Sequence, residues 1–323
     1  MYSRLTKKAN IDYQVLSRRS KKGLLKVDLR EMFRIKAKEL ELKLEILPVE
    51  SLCLHERTIP RLERSLILEF RNCTHLRHPV IVDENHIVLD GNHRIAAFTA
   101  LNIKYVLVCK IDYFHETACL RYWFRRLSDI KSIETVKQIV EGLGGRLRKI
   151  ENKAGLEKTL EDDCFCCGIQ TVNLYAAIRF PKDIVYDCVS AYDILEKIQN
   201  GLIQNGIKLE YIPCQYVQDH QFCEQLKDEE MLIWTPRITK EMVVEAARQE
   251  KLFAPKSTRH LIPARPLNVN IPIFWFNENI SLEEINRRVC EFLENKKLKR
   301  FGPGQVIDGR YYEEELFVFY DKE

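Results

Sequence analysis

The run Val88-Leu89-Asp90-Gly91-Asn92-His93-Arg94-Ile95-Ala96-Ala97 holds the densest chemistry in the chain: an apolar strand breaks at Asp-Gly, and a helix starts at once with an imidazole and a guanidinium in its first turn. A helix N-terminus carries unpaired backbone N–H groups and a partial positive charge, so it is a ready anion site, with His93 and Arg94 beside it. Gly91 lets the backbone approach a phosphate with no Cβ in the way, and Asn92 adds a donor. Arg94 is the strongest binder of the set, because a guanidinium keeps its charge and grips phosphate oxygens with two donors. Asp90 has no use for a phosphate alone. A carboxylate at that edge suits a metal ion or a substrate hydroxyl, which turns the cradle into a candidate phosphoryl-transfer site. Taken by itself, the same pentad also reads as a helix cap followed by solvated side chains.

The elements around this run must hold it in place. Ile46 to Leu52 suits a short strand, Pro60 to Asn72 a helix with Pro at its start, and Pro79 to Asp83 with His86 to Leu89 a hairpin turning at Glu84-Asn85. A helix at 92–102 and a strand at 105–113 complete the unit. Upstream, residues 27–46 read as a charged amphipathic helix carrying Leu29, Met32, Phe33, Ile35, Leu40, Leu42 and Leu44. Downstream, helical text over 115–149 contains Tyr122-Trp123-Phe124 and ends at Gly142 and Gly144-Gly145. A second α/β region starts near Thr171, with strands at 171–179, 207–213 and 231–235 and helices at 189–200 and 239–251. The expected organisation is an N-terminal helical extension (1–45), a first α/β domain (46–149), a linker or exposed loop (150–170), and a second α/β domain with a C-terminal extension (171–323).

A chain of 323 residues, 46% hydrophobic and 30% charged, has room for two buried cores. Its apolar runs fall short of the roughly 20 residues a membrane helix needs, and Met1 to Lys8 lacks a signal-peptide core, so a cytoplasmic protein without membrane contact is expected. Eleven cysteines without framework spacing suit reduced thiols. Cys164, Cys166 and Cys167 are read as a mobile loop, since closing a zinc site there would take a thiol from Cys188, Cys214 or Cys223. A net charge of +4 does not imply nucleic acid, and Arg18, Arg19, Lys21, Lys22 and Lys26 read as a solvated face.

Residues 46–113 resemble the ParB/sulfiredoxin superfamily, and more closely its free L-serine kinases. The resemblance rests on three blocks in order: His55-Glu56 after the first strand, Asp90 to Arg94 as Asp-Gly-x-His-Arg, and Phe253-Ala254-Pro255-Lys256-Ser257-Thr258-Arg259-His260, which resembles their Pro-Lys-(Ser/Thr)-Thr-Arg-His signature. It implies a ParB/sulfiredoxin-like nucleotide-binding unit plus a second α/β domain that binds substrate. The implied activity is phosphorylation of free L-serine to O-phospho-L-serine, with ATP or ADP as donor and Mg²⁺ as cofactor. By the same resemblance Glu56 is the general base near the substrate hydroxyl, and Asp90 helps activate that hydroxyl or holds Mg²⁺, directly or through water. Gly91, Asn92, His93 and Arg94 hold phosphate. Lys256, Thr258 and His260 hold the amino acid and its phosphate, on a loop expected to close against the first domain. His55, Arg259 and Trp123 are further candidates; for Trp123 the competing reading is helical core packing, and for Arg259 and Arg265 it is ion pairing with carboxylates elsewhere.

Two departures stand beside these blocks. Asn92 occupies a position where the pattern carries a second His, so a proton-transfer role there is lost. Residues 1–45 and 273–323 have no counterpart in the resemblance. The alternative function is a nucleotide-gated ParB-like binding or regulatory protein without kinase turnover. DNA binding is not expected, because a Gly-Glu-Arg-Arg motif and a helix-turn-helix are not evident. Sulfiredoxin chemistry is excluded because Asn92 supplies no thiolate.

Overall fold

Leu40-Glu41-Leu42-Lys43-Leu44-Glu45-Ile46 puts every second side chain on one face, which is the period of a strand. In the computed structural model, which describes residues 32–37, 40–213 and 226–322, this run lies in Leu40–Pro48 (β2), paired antiparallel with Phe33–Ala37 (β1). Leu42 and Leu44 are fully buried. The helix expected over 27–46 is therefore corrected, in its described part, to two strands. Leu, Lys and Glu favour helix intrinsically, but burial of one face at a two-residue period overrides that preference. Ile46 to Leu52 is likewise not a separate strand: it is the end of β2 followed by a 3-10 turn at Val49–Ser51. Residues 1–31, with the basic run from Arg18 to Lys26, lie outside the described residues.

The first lobe follows the expected order more closely. Pro60–Asn72 (α1) begins with proline at N1, where a missing N–H costs nothing. His75–Leu76 (β3) leads to Val80–Asp83 (β4) and Val88–Asp90 (β5), an antiparallel hairpin. Asn92–Ala100 (α2) and Tyr105–Ile111 (β6) follow. The sheet order is β1-β2-β6-β4-β5, with β6 antiparallel to β2 and parallel to β4. Val80, Val82, Val88, Val106, Leu107 and Val108 are wholly buried, so the strand end at Asp90 is anchored in a packed sheet.

The second lobe departs from the sequence reading. In place of continuous helix over 115–149 stand Cys119–Arg121 (β7), Trp123–Ser128 (β8), Ile133–Gly142 (α3) and Arg146–Ile150 (β9). The linker expected over 150–170 is Lys153–Asp162 (α4) and Cys167–Gln170 (β10), and Cys166 and Cys167 are buried rather than in a mobile loop. Tyr175–Arg179 (β11), Cys188–Gln204 (α5), Lys208–Pro213 (β12), Met231–Trp234 (β13) and Lys240–Arg248 (α6) complete the lobe. Its antiparallel sheet runs β12-β8-β13-β10-β11-β9. Val136 of α3, Leu195 and Ile198 of α5 and Val243 of α6 pack into one core, and Leu156 and Leu160 of α4 into another. Cys214 and Cys223 lie outside the described residues.

After α6 the chain returns to the first lobe. Arg259–Leu261 (β14) pairs with β7, Ala264–Leu267 (β15) leads on, and Ile271–Pro272 (β16) pairs with β3. Leu282–Glu294 (α7) packs Ile285, Val289 and Leu293 into the first-lobe core, and Asn286 caps the Ile46 amide of β2 at 2.8 Å. Lys296–Phe301 (β17), the hairpin Gln305–Ile307 (β18) and Arg310–Tyr312 (β19), and Glu315–Asp321 (β20) end the chain, with β20 parallel to β15. Among the described residues, no helix is long and apolar enough to cross a membrane.

Candidate active site

Of the seven α-helices described, five have a side chain capping the first turn: Ser132, Asn152, Asp187, Thr239 and Ser281 each accept a backbone N–H. The starts of α1 and α2 have none. These two starts lie side by side, because the Ile59 N–H ahead of α1 donates to His93 Nε2 at 2.9 Å. A nitrogen that accepts carries no proton, so His93 is neutral here, in line with burial lowering its pKa against the opposing charge of Glu56. Gly91 enters α2 at φ +117°, where a Cβ would meet Arg94 Nη2 at 3.0 Å and Val80 at 3.1 Å. Next to it, Asn92 Oδ1 is buried without a hydrogen-bond partner among the described residues.

Asp90, at the end of β5, is gripped by arginines. Its Oδ2 accepts from Arg265 at 2.5 Å and lies 3.5 Å from Arg94, while Arg265 also donates to Glu314 at 2.8 Å. Burial by itself would raise the Asp90 carboxyl, but Arg265, Arg94 and Arg310 hold it well below the usual carboxylate range. It is a fixed anion at neutral pH. Arg94 also donates to the carbonyls of His78 at 2.8 Å and Pro79 at 3.0 Å, so much of its donor fork is engaged. Asp90, Arg94 and Arg265 share a cavity of about 290 Å³ with Leu66, Glu69 and Phe70 of α1 and with residues 75–79. His78, on this wall, is pushed down to about 4 by burial and by Arg94 and Arg77, and its Nδ1 accepts the Asn268 N–H.

Glu56 joins the two lobes. Its Oε1 accepts the Lys256 N–H at 2.9 Å, and its Oε2 accepts the N–H groups of Ser257 and Thr258 and the Thr258 hydroxyl, each at 3.1 Å. A short parallel bridge between Glu56 and Phe253 holds the backbones together. Lys256 sits at φ +63°, uncommon for a residue with a Cβ, and the surrounding bonds impose it. Trp123 Nε1 donates to the Thr258 carbonyl at 3.0 Å, and Lys256 Nζ lies 4.9 Å from the centre of the Trp123 ring. Trp123 is thus a strand residue bracing this loop, not part of a buried helix. Beneath it Arg125, fully buried, donates to the carbonyls of Lys256 and Trp123 and to Gln199.

Two buried histidines back the loop. His55 Nε2 lies 2.8 Å from Thr258 Oγ1, and its ring meets that of His260 edge-on at 5.2 Å. His260 Nε2 is 2.9 Å from the Tyr113 hydroxyl. Burial lowers both histidines below their ordinary pKa. Arg259 pairs with Glu313, and Arg265 with Asp90 and Glu314.

The structure therefore brings Glu56, Lys256, Thr258, Trp123 and His55 into one cluster, with His93 at its edge. Asp90, Gly91, Asn92 and Arg94 form the adjoining start of α2. His260 and Arg259 are engaged with protein partners behind and beside the loop. Sequence reasoning missed Arg125, whose burial in β8 has no sequence signal, and Arg57, which pairs with Asp193 at 2.8 Å and Glu196 at 2.6 Å on α5. It also missed the lining from the C-terminal hairpin. Among the described residues there is no group of three or more His, Cys, Asp or Glu side chains placed to hold a metal ion.

The fold and this site define a class: a ParB/sulfiredoxin-like sheet with an Asp-Gly helix start, joined by a second α/β lobe through a glutamate-clamped loop. In fold the chain is similar to free serine kinases of known structure. It is 26% identical over 239 residues to an ATP-dependent L-serine kinase of Staphylothermus marinus, covering 71% of this chain and 89% of that one. A ParB-like protein of Sulfolobus acidocaldarius is 23% identical over 184 residues, 57% of this chain and 73% of that protein. Among solved structures, a free serine kinase in complex with AMP superposes with a TM-score of 0.58 at 17% identity, covering 72% of this chain and 92% of that chain. No protein-family model matches the sequence.

Proposed function

We propose that the chain is a kinase that phosphorylates free L-serine to O-phospho-L-serine, with ATP as donor and ADP as the competing candidate. The observation that carries this reading is the Glu56 clamp: it draws a loop 200 residues away in sequence onto the first lobe beside two uncapped helix starts. Sequence likeness to proteins named ATP-dependent L-serine kinase supports the same reading. In it the nucleotide occupies the cavity beside Asp90 and Arg94, with its phosphates toward the N–H groups of α2 and the Arg94 guanidinium.

Glu56 Oε2 takes three donors and Oε1 only one, so Oε1 retains capacity for a further proton. The serine hydroxyl gives its proton to this oxygen as its own oxygen bonds the terminal phosphorus, and the bond to the bridging oxygen of the nucleotide breaks. Lys256 Nζ, held over the Trp123 ring, supplies positive charge near the transferring group, and Thr258 holds Glu56 in place. His55 and His260 support the loop from behind. Asp90, kept ionised by its arginines, would be the carboxylate at the helix start to hold a Mg²⁺ ion. When bound, that ion would neutralise charge on the phosphates.

Phosphorus NMR of serine, Mg²⁺ and either ATP or ADP tests the reading. Wild type should form phosphoserine, and Glu56→Gln should lower turnover by about a hundredfold or more while nucleotide affinity stays within about threefold. Nucleotide binding without phosphoserine from either donor would favour the ParB-like regulatory alternative. Normal turnover in Glu56→Gln would remove the base from the scheme.

A further inference from the structure

We propose that the C-terminal hairpin supplies a nucleotide-phosphate ligand, Arg310, which closes the cavity beside Asp90 and Arg94; this rests on the reading of that cavity as the nucleotide site. The hairpin β18–β19 turns at Asp308-Gly309, both with positive φ (51° and 76°), the two-residue turn that Asp-Gly favours. Arg310 and Tyr312 lie two apart on one face of β19, and both line the cavity. Tyr312 is buried with Leu267, Leu316 and Val318, so the root of the hairpin is fixed. Its tip is tied to the opposite rim by Arg77, which donates to Asp308 at 2.6 Å.

Four guanidiniums reach this cavity, and three are committed. Arg77 pairs with Asp308, Arg265 with Asp90 and Glu314, and Arg94 with two carbonyls and Asp90. Among the described residues, Arg310 has no carboxylate within ion-pair distance; it rests over the Tyr312 ring at 4.9 Å. Its charge is nevertheless felt at Asp90, Arg94 and His78. An exposed guanidinium held at the mouth of a cavity and facing other cations is suited to an incoming polyanion, which would relieve that repulsion and take two donors at once. The segment for which the sequence offered no counterpart thereby becomes part of the binding site.

Calorimetric titration of the full chain with ATP, ADP and adenosine, at low and raised salt, tests this. Arg310→Ala should weaken ATP by about tenfold, Arg310→Lys by less, and adenosine hardly at all, with a smaller salt dependence than wild type. Because Arg310 is exposed next to a turn, the variants should keep the wild-type melting temperature. Unchanged ATP affinity in Arg310→Ala, or equal weakening of adenosine, overturns the proposal while leaving the kinase reading intact. A wild-type protein that binds neither ATP nor ADP overturns both.

Discussion

Gly91 shows how much a single missing side chain does here. At φ +117° an alanine is strained, and its Cβ would crowd both the Arg94 guanidinium and the Val80 side chain. Gly91→Ala should lower stability by about 1–3 kcal/mol, read from urea unfolding, and weaken nucleotide binding further because Arg94 must shift. Loss of stability with unchanged affinity would separate the turn from the binding role. The Asp-Gly pair and the His93-Arg94 start were legible because their chemistry is local. The pairing of Asp90 with Arg265 was not, since those residues are 175 apart in sequence and meet only through β15.

At the scale of elements, the loop at 256–260 is shaped mainly by distant side chains that bond its backbone groups, so its own residue types carry no trace of them. Glu56 captures three successive N–H groups, and Arg125 takes the Lys256 carbonyl from below. Arg125 lacks an ion-pair partner among the described residues and is stacked near Tyr192 and Tyr211. Replacing it with Met leaves the Lys256 and Trp123 carbonyls without a donor, so Arg125→Met should cost about 2–4 kcal/mol in unfolding free energy. It should also raise the KM for serine more than that for nucleotide, which steady-state kinetics would show. A parallel rise in both would place Arg125 in the core alone. The same local-versus-distant divide explains the misread elements. Pro60 marks α1 and Glu84-Asn85 marks the hairpin, whereas β1, β2 and β8 are rich in residues that suit helices and become strands only through their neighbours.

For the whole molecule, the seam between the lobes carries a pH dependence. His55 and His260 are buried where the 253–260 segment crosses onto the first lobe, and His78 is half-buried on the cavity wall. All three have folded-state pKa values depressed by burial, that of His78 to about 4. An unfolded histidine titrates near 6.5, so between that pH and the depressed value the unfolded chain binds more protons than the folded one. The stabilisation is fully present above about pH 6.5 and is lost as pH falls through the folded-state values. His78 alone, discounted for its partial exposure, should remove about 1 kcal/mol between about pH 6.5 and 5. Denaturant unfolding across that range should show a steady decline, and His78→Gln should make it shallower. A flat profile would mean that the seam already admits protons. The Arg57 link to Asp193 and Glu196 ties the lobes at a point that involves none of these histidines, so acid is expected to loosen the histidine-backed loop before the lobes part.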